Sequence, residues 1–181
     1  MDIDLHATVR QAQRRLARFN NLSNGGCAVV AVLLGKQLAK YTEVRCVIGD
    51  NTWMVERVPG DRVNLRESAS ELLTGNDANA MSTNDWHDYD VHFGHVMVEF
   101  KMDNKWYHCD DKHLYARRGL RMVPFGFDLY EGYLELQEIA PVANKSIGWN
   151  KAFNRNQIGD IAAEIKQAFA NPVAKTTEFV V

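Results

Sequence analysis

Apolar positions in this chain recur first at helical spacing. Leu5, Val9, Ala12, Leu16 and Phe19 fall three and four residues apart, which predicts an amphipathic helix over residues 4–19. The opposite face carries Arg10, Arg14, Arg15 and Arg18, as a solvated helix face does, or a surface for an anionic partner. After the turn-rich stretch NNLSNGG, residues from Cys27 to about Lys40 are apolar on nearly every side for two turns. A helix without a polar face is a buried one. TEVRCVIGD then alternates, with Val44, Cys46 and Ile48 on one face and Arg45 and Val47 on the other, as a strand does. A second strand is expected over residues 52–58, ended by Pro59-Gly60, and a short helical piece around Glu67–Leu73.

The next stretch, TGNDANAMSTNDWHDYD, is polar and long. A loop of this length inside a domain is expected to be a lid or a binding loop, so residues 76–90 are predicted to form a mobile lid that contributes to substrate recognition. Trp86 and Tyr89 are its candidate substrate contacts, and Asp77, Asp85, Asp88 and Asp90 would favour a basic substrate segment. VHFGHVMVEF and KWYHCDD read as two strands joined at Asp103-Asn104, a pair suited to a two-residue turn. That turn would pair Met102 with Lys105 and set Asp110 opposite Met97, one diagonal step from His95 and on its face. A loop one residue longer or shorter would hand the position to Asp111. Short strands are expected at 120–124 and 132–139. A last helix is expected over 155–170, with Ile158, Ile161, Ile165, Ala168 and Phe169 inward and Pro172 ending it; the tail reads as extended. The order of elements predicts an α+β fold rather than alternating βαβ units. It fits a single domain over 1–181, with a core at about 20–140 and flanking helices at 4–19 and 155–170.

Composition narrows the function classes. The 181 residues are 46% hydrophobic and 24% charged, ordinary values for a globular chain. Net charge is −2, from 21 basic and 23 acidic residues, so no global attraction to nucleic acid or to an anionic membrane is expected. The longest apolar run, Ala28–Leu34, falls far short of the roughly 20 residues of a membrane helix. The opening MDIDLHATVR is acidic where a secretory signal is basic. These features lead us to expect a cytoplasmic protein. The three cysteines, Cys27, Cys46 and Cys109, are odd in number and form no CxxC pair, which argues against a disulfide framework or a zinc knuckle.

Candidate chemistry collects at three points. Cys27 follows Gly25-Gly26 and opens the buried helix. There the helix dipole and free N–H groups favour a thiolate, the glycines would let a substrate backbone approach, and Asn24 could cap the helix. Cys46 and Cys109 read as packing residues. His95 follows Gly94 and opens an alternating strand, where Asp110 could orient its imidazole. Five of the six histidines lie between His87 and His113, so a metal site is the competing reading, with His95, His108 and Asp110 as candidate ligands on one face. Against it, His92 and His95 should point opposite ways, and no HExxH helix is present.

With GGCAVVAVLL, VRCVIGD, HVMVE, DNKW and HCDD in this order, the chain resembles the transglutaminase-like cysteine enzymes, within the wider papain-like class. The resemblance covers roughly residues 20–112. Cys27, His95, Glu99, Trp106 and Asp110 fall on its pattern, while Met97 stands where the family often has Trp. It implies a helix carrying the cysteine packed on an antiparallel sheet carrying the histidine and the aspartate. It further implies Cys27 as nucleophile, His95 as general base and then acid, and Asp110 as orienter. The expected activity is thiol-dependent hydrolysis of an amide bond in a protein or peptide, as a peptidase, amidase or deamidase, with no cofactor. Acyl transfer to an amine, or a non-catalytic binding module on the same fold, are the alternatives. Asn24, Gly25, Gly26, Trp86 and Tyr89 are the candidate substrate-binding residues. No Gln closely precedes Cys27, which leaves Asn21, Asn24 and Trp53 as candidates for a second oxyanion donor.

Overall fold

The computed structural model describes residues 3–22, 26–49, 53–56, 66–68, 89–92, 95–116, 122–125 and 153–175. Helix α1 spans Leu5–Leu16. It begins where Asp4, in extended conformation, accepts a hydrogen bond from the Ala7 N–H at 2.8 Å, satisfying one of the donors that a helix start leaves unpaired. Helix α2 spans Cys27–Leu38, and eight of its twelve residues are buried, as its all-round apolar sequence requires. Helix α3, Ile158–Ala170, follows a single 3₁₀ turn at Arg155–Gln157. Its inward residues are Ile161, Ile165, Ala168 and Phe169.

The described strands are β1 (Val44–Gly49), β2 (Trp53–Glu56), β3 (Arg66–Ser68), β4 (Tyr89–His92), β5 (Val96–Met102), β6 (Lys105–Cys109), β7 (Leu114–Ala116) and β8 (Met122–Phe125). Five of them form an antiparallel sheet in the order β7-β6-β5-β1-β8, and three form a second antiparallel sheet, β3-β2-β4. The molecule is therefore α+β, as the element order implied. The hairpin β5–β6 turns at Asp103-Asn104, both with positive φ (49° and 60°), the conformation of the tight turn whose twist matches that of its strands. Met102 accordingly pairs with Lys105 and Val98 with Cys109.

Two expectations need correction. Residues 66–68 are a strand paired with β2 rather than the start of a helix; a three-residue segment has little conformational preference of its own, and the neighbouring strand decides. VHFGHVMVEF is not one strand: Tyr89–His92 pairs with β2, and Val96–Met102 belongs to the larger sheet. The helices at the two ends pack into the buried core of α2 and the sheet. Val9, Ala12 and Leu16 of α1 and Ile161, Ile165 and Phe169 of α3 belong to the same buried cluster as α2 and the sheet. Leu16 and Leu34 are each fully buried, which contributes roughly 1.5–3 kcal/mol per side chain. The strand expected at 132–139 and the residues 69–88 lie outside the described residues. Among those described, no helix is long and apolar enough to cross a membrane.

The two faces of the sheet differ. Cys46, Ile48, Val96, Val98, Phe100 and Cys109 join the helices in the hydrophobic cluster. By alternation, Arg45, Val47, Met97, Glu99 and His108 point the other way, and among these Val47, Met97, Glu99 and His108 are also buried. Glu99 carries a charge into this second layer. Arg45 Nε donates to its Oε2 at 2.5 Å, and His108 Nε2 bonds to its Oε1. Burial raises the pKa of Glu99, yet the bonds from His108 and Arg45 outweigh it and hold the carboxyl below its usual range. The Arg45 guanidinium in turn lies 4.3 Å from the centre of the Trp106 ring.

Candidate active site

His95 and Asp110 stand just outside the ladder of the larger sheet, one residue before β5 and one after β6. The pairing of Val98 with Cys109, carried one step further, sets Asp110 opposite Met97 and diagonal to His95. An imidazole spans that diagonal. The structure makes the contact: His95 Nε2 lies 3.1 Å from Asp110 Oδ2. Asp110, rather than Asp111, thus meets the histidine, because the turn has two residues.

Cys27 opens α2 and is 8% exposed. Its side chain lies close enough to His95 to favour the charged imidazole. Since Nε2 faces Asp110, the other ring nitrogen, Nδ1, is the one left for the sulfur. Cysteine, imidazole and carboxylate thus stand together as the members of a relay. The bond from Asp110 and then the influence of Cys27 favour the charged imidazole. Against burial, they raise the His95 pKa from 6.5 to about 10. Near neutral pH this histidine therefore carries a proton.

The carboxylate is heavily invested. Besides His95, Asp110 Oδ1 accepts the backbone N–H groups of Lys112 at 2.8 Å and His113 at 2.6 Å. The ring nitrogen His113 Nδ1 lies 3.0 Å from Oδ2. Burial alone would raise this pKa, but the bonds from His95, the two amides and His113 hold it well below the carboxylate range. Asp110 is thus held as an anion near neutral pH.

The other cysteines are packing residues. Cys46 and Cys109 are both fully buried, and burial pushes the Cys109 thiol well above its ordinary value. His108 does not join His95 and Asp110; it is turned to Glu99 on the buried strand face. Among the described residues, no three His, Cys, Asp or Glu side chains converge as a metal site requires.

Gly26 serves packing. A Cβ placed on it would come within 2.8 Å of the Phe153 ring, so the space expected for a substrate backbone is filled by that ring. Gly26 is the N-cap of α2 and is already helical (φ −99°, ψ −5°), with no side-chain cap. Asn24, Gly25 and Trp86 lie outside the described residues, as do residues 76–88 of the expected lid. Tyr89 is placed by its backbone alone, in β4 opposite Glu56. Of the candidates for a second oxyanion donor, Asn21 is exposed with a positive φ of 60°.

Two contributors escaped the sequence reading. His113 had a local signal, since DDKH places it three residues after an aspartate, the spacing of an Asp-capped turn. Gln13 had none. It lies on α1, and its Nε2 donates to the carbonyl oxygens of Asp110 at 3.0 Å and His113 at 2.7 Å. Of the arginines on that helix and just past its end, Arg15 and Arg18 pair with Glu164 of α3, and Arg10 donates to the Lys112 and Leu114 carbonyls. Much of the basic face is therefore a seam between elements. Compared with protein-family models, with curated proteins and with solved structures, the chain matches none.

Proposed function

We propose that this protein is a thiol-dependent hydrolase that cleaves an amide bond of a protein or peptide through Cys27, His95 and Asp110, on a papain-like or transglutaminase-like core. The observation that carries the reading is the contact of His95 Nε2 with the buried Asp110 carboxylate at 3.1 Å, with Cys27 at the start of α2 close enough to the same imidazole to favour its charged form. The Cys27 thiolate attacks the carbonyl carbon, and the positive end of α2 faces the negative charge that develops on oxygen. As the C–N bond breaks, His95 gives its proton to the departing amine, leaving a thioester. Water then attacks the thioester carbonyl while His95 takes its proton. Collapse of that intermediate releases the acid and the thiolate, and His95 is charged again. Asp110 keeps one tautomer in place and stabilises the imidazolium throughout. Water as acceptor needs no second substrate pocket; an amine acceptor would turn the same thioester to acyl transfer.

Brief iodoacetamide treatment at pH 7 followed by peptide mapping tests the reading. Cys27 is expected to be labelled well before Cys46 and Cys109, and His95→Ala should remove that preference. Labelling of Cys46 or Cys109 before Cys27 would end the proposal. A panel of peptide and amide substrates, with Cys27→Ala as the blank, then separates hydrolysis from a purely binding role.

A further inference from the structure

We propose that Gln13 is the positioning residue of the relay, holding the Asp110 carboxylate against His95 from a different part of the chain. This inference rests on the reading of Cys27, His95 and Asp110 as a catalytic unit. Residues 110–113 form a closed turn: the Asp110 N–H donates to the His113 carbonyl at 3.1 Å, and the Asp110 carboxylate caps the amides of Lys112 and His113. A turn so closed is stiff internally, and it is the loop of the β6–β7 hairpin, tied to β5 through the pairing of Val98 with Cys109. Gln13 adds a constraint from outside the sheet. The side chain is buried (6% exposed), and its Nε2 donates across 97 residues of sequence to the Asp110 carbonyl and to the His113 carbonyl, the two ends of the turn.

Residue type matters here. The two hydrogens on Nε2 serve one carbonyl each, while Oε1 accepts Arg10 Nη1 at 3.1 Å, so no polar group of the amide is left over. Glutamate would offer only acceptors to two carbonyls, and an aliphatic residue would offer nothing. Arg10 extends the clamp to the Lys112 and Leu114 carbonyls. Helix α1 is itself fixed at the opposite side, where Arg15 bonds to Glu164 and Gln167 of α3 and the Asp4 N–H donates to the Val173 carbonyl at 2.8 Å. The two terminal helices thus form the abutment for the turn that carries the carboxylate. Because the amide hydrogens are both engaged, Gln13 is also excluded as the missing oxyanion donor.

The experiment compares Gln13→Glu and Gln13→Met with the wild-type chain. Methionine keeps the volume and lacks the donors, so this variant reads the effect if the glutamate form does not fold. The first readout is the NMR titration of His95, expected to move from about 10 toward the value of a free imidazole by a unit or more in the variants. The second is the rate of Cys27 alkylation at pH 7 in the folded protein. It is expected to fall about ten-fold or more, since a misplacement of about 1 Å can cost on the order of 10²-fold at such sites. A merely structural glutamine would lower the melting temperature and leave both readouts unchanged, and that result would overturn the proposal. The two ideas fail separately. If Cys27 of the wild-type chain is not preferentially labelled, the functional reading fails; if it is, and the variants match it in titration and rate, only the role of Gln13 fails.

Discussion

Each of the three relay residues is useful only because of a specific neighbour. Sulfur needs the imidazole, the imidazole needs the carboxylate, and the carboxylate is bonded by two backbone N–H groups of its own turn besides the ring nitrogens of His95 and His113. Asp110 is the leading cause of the raised His95 pKa and Cys27 the next. Asp110→Asn is therefore expected to lower the His95 titration point more than Cys27→Ala does, both read by NMR of the imidazole. In activity the order changes. Cys27→Ala and His95→Ala remove turnover, whereas Asp110→Asn leaves a rate lowered by about 10²–10⁴-fold, because its role is orientation and charge stabilisation rather than bond making. The double variant Cys27→Ala/His95→Ala should be scarcely worse than either single one, as for residues that act as a unit. Equal, small losses from all three single variants on a verified substrate would contradict the relay.

The elements place these residues by packing and by register. The start of α2 sits where it does because Gly26 accepts the Phe153 ring at its Cα. Gly26→Ala puts a methyl at 2.8 Å from that ring and should destabilise the fold by about 1–3 kcal/mol, seen as a lower denaturant midpoint at unchanged slope. A wild-type midpoint would mean that Phe153 gives way freely. Strand β5, which follows His95, lies at the centre of its sheet and carries Glu99 into the buried layer between Arg45 and His108. His108→Leu alone strips Glu99 of its fully buried partner and is expected to cost on the order of 3 kcal/mol. Glu99→Leu/His108→Leu together should cost less than that, because no buried charge remains and the Arg45 guanidinium left behind is partly exposed to solvent. Additive losses in this cycle would show that the pair is not coupled.

For the molecule as a whole, the relay also makes stability depend on pH. His95 has a folded pKa raised from 6.5 to about 10, so its contribution is complete below about pH 6.5 and fades as pH rises through 10. Asp110 is depressed from 3.8, so its contribution is present above about pH 4 and lost only in stronger acid. The stability advantage of the wild-type chain over His95→Gln, measured by chemical unfolding, should be present at pH 6 and gone by about pH 10.5. An advantage that does not vary with pH would show that charge on His95 plays no part. At this scale too, the division between what was legible in the residues and what was not follows from distance along the chain. Buried helix α2, the alternation of β1 and β5, the Asp103-Asn104 turn and hence the choice of Asp110 over Asp111 all depend on contacts between near neighbours, and such contacts leave a period in the sequence. The strand at 66–68 does not, since a partner strand imposes it. Gly26 reads as freedom for a ligand until Phe153, more than a hundred positions away, is found filling the space. Gln13 reads as one more polar residue on an amphipathic helix until the turn at 110–113 arrives beside it. A hydrogen bond across 97 residues leaves no period in a single sequence, because the chain between the two ends is free to vary; only the packing of α1 against α3 and the sheet brings donor and acceptor together.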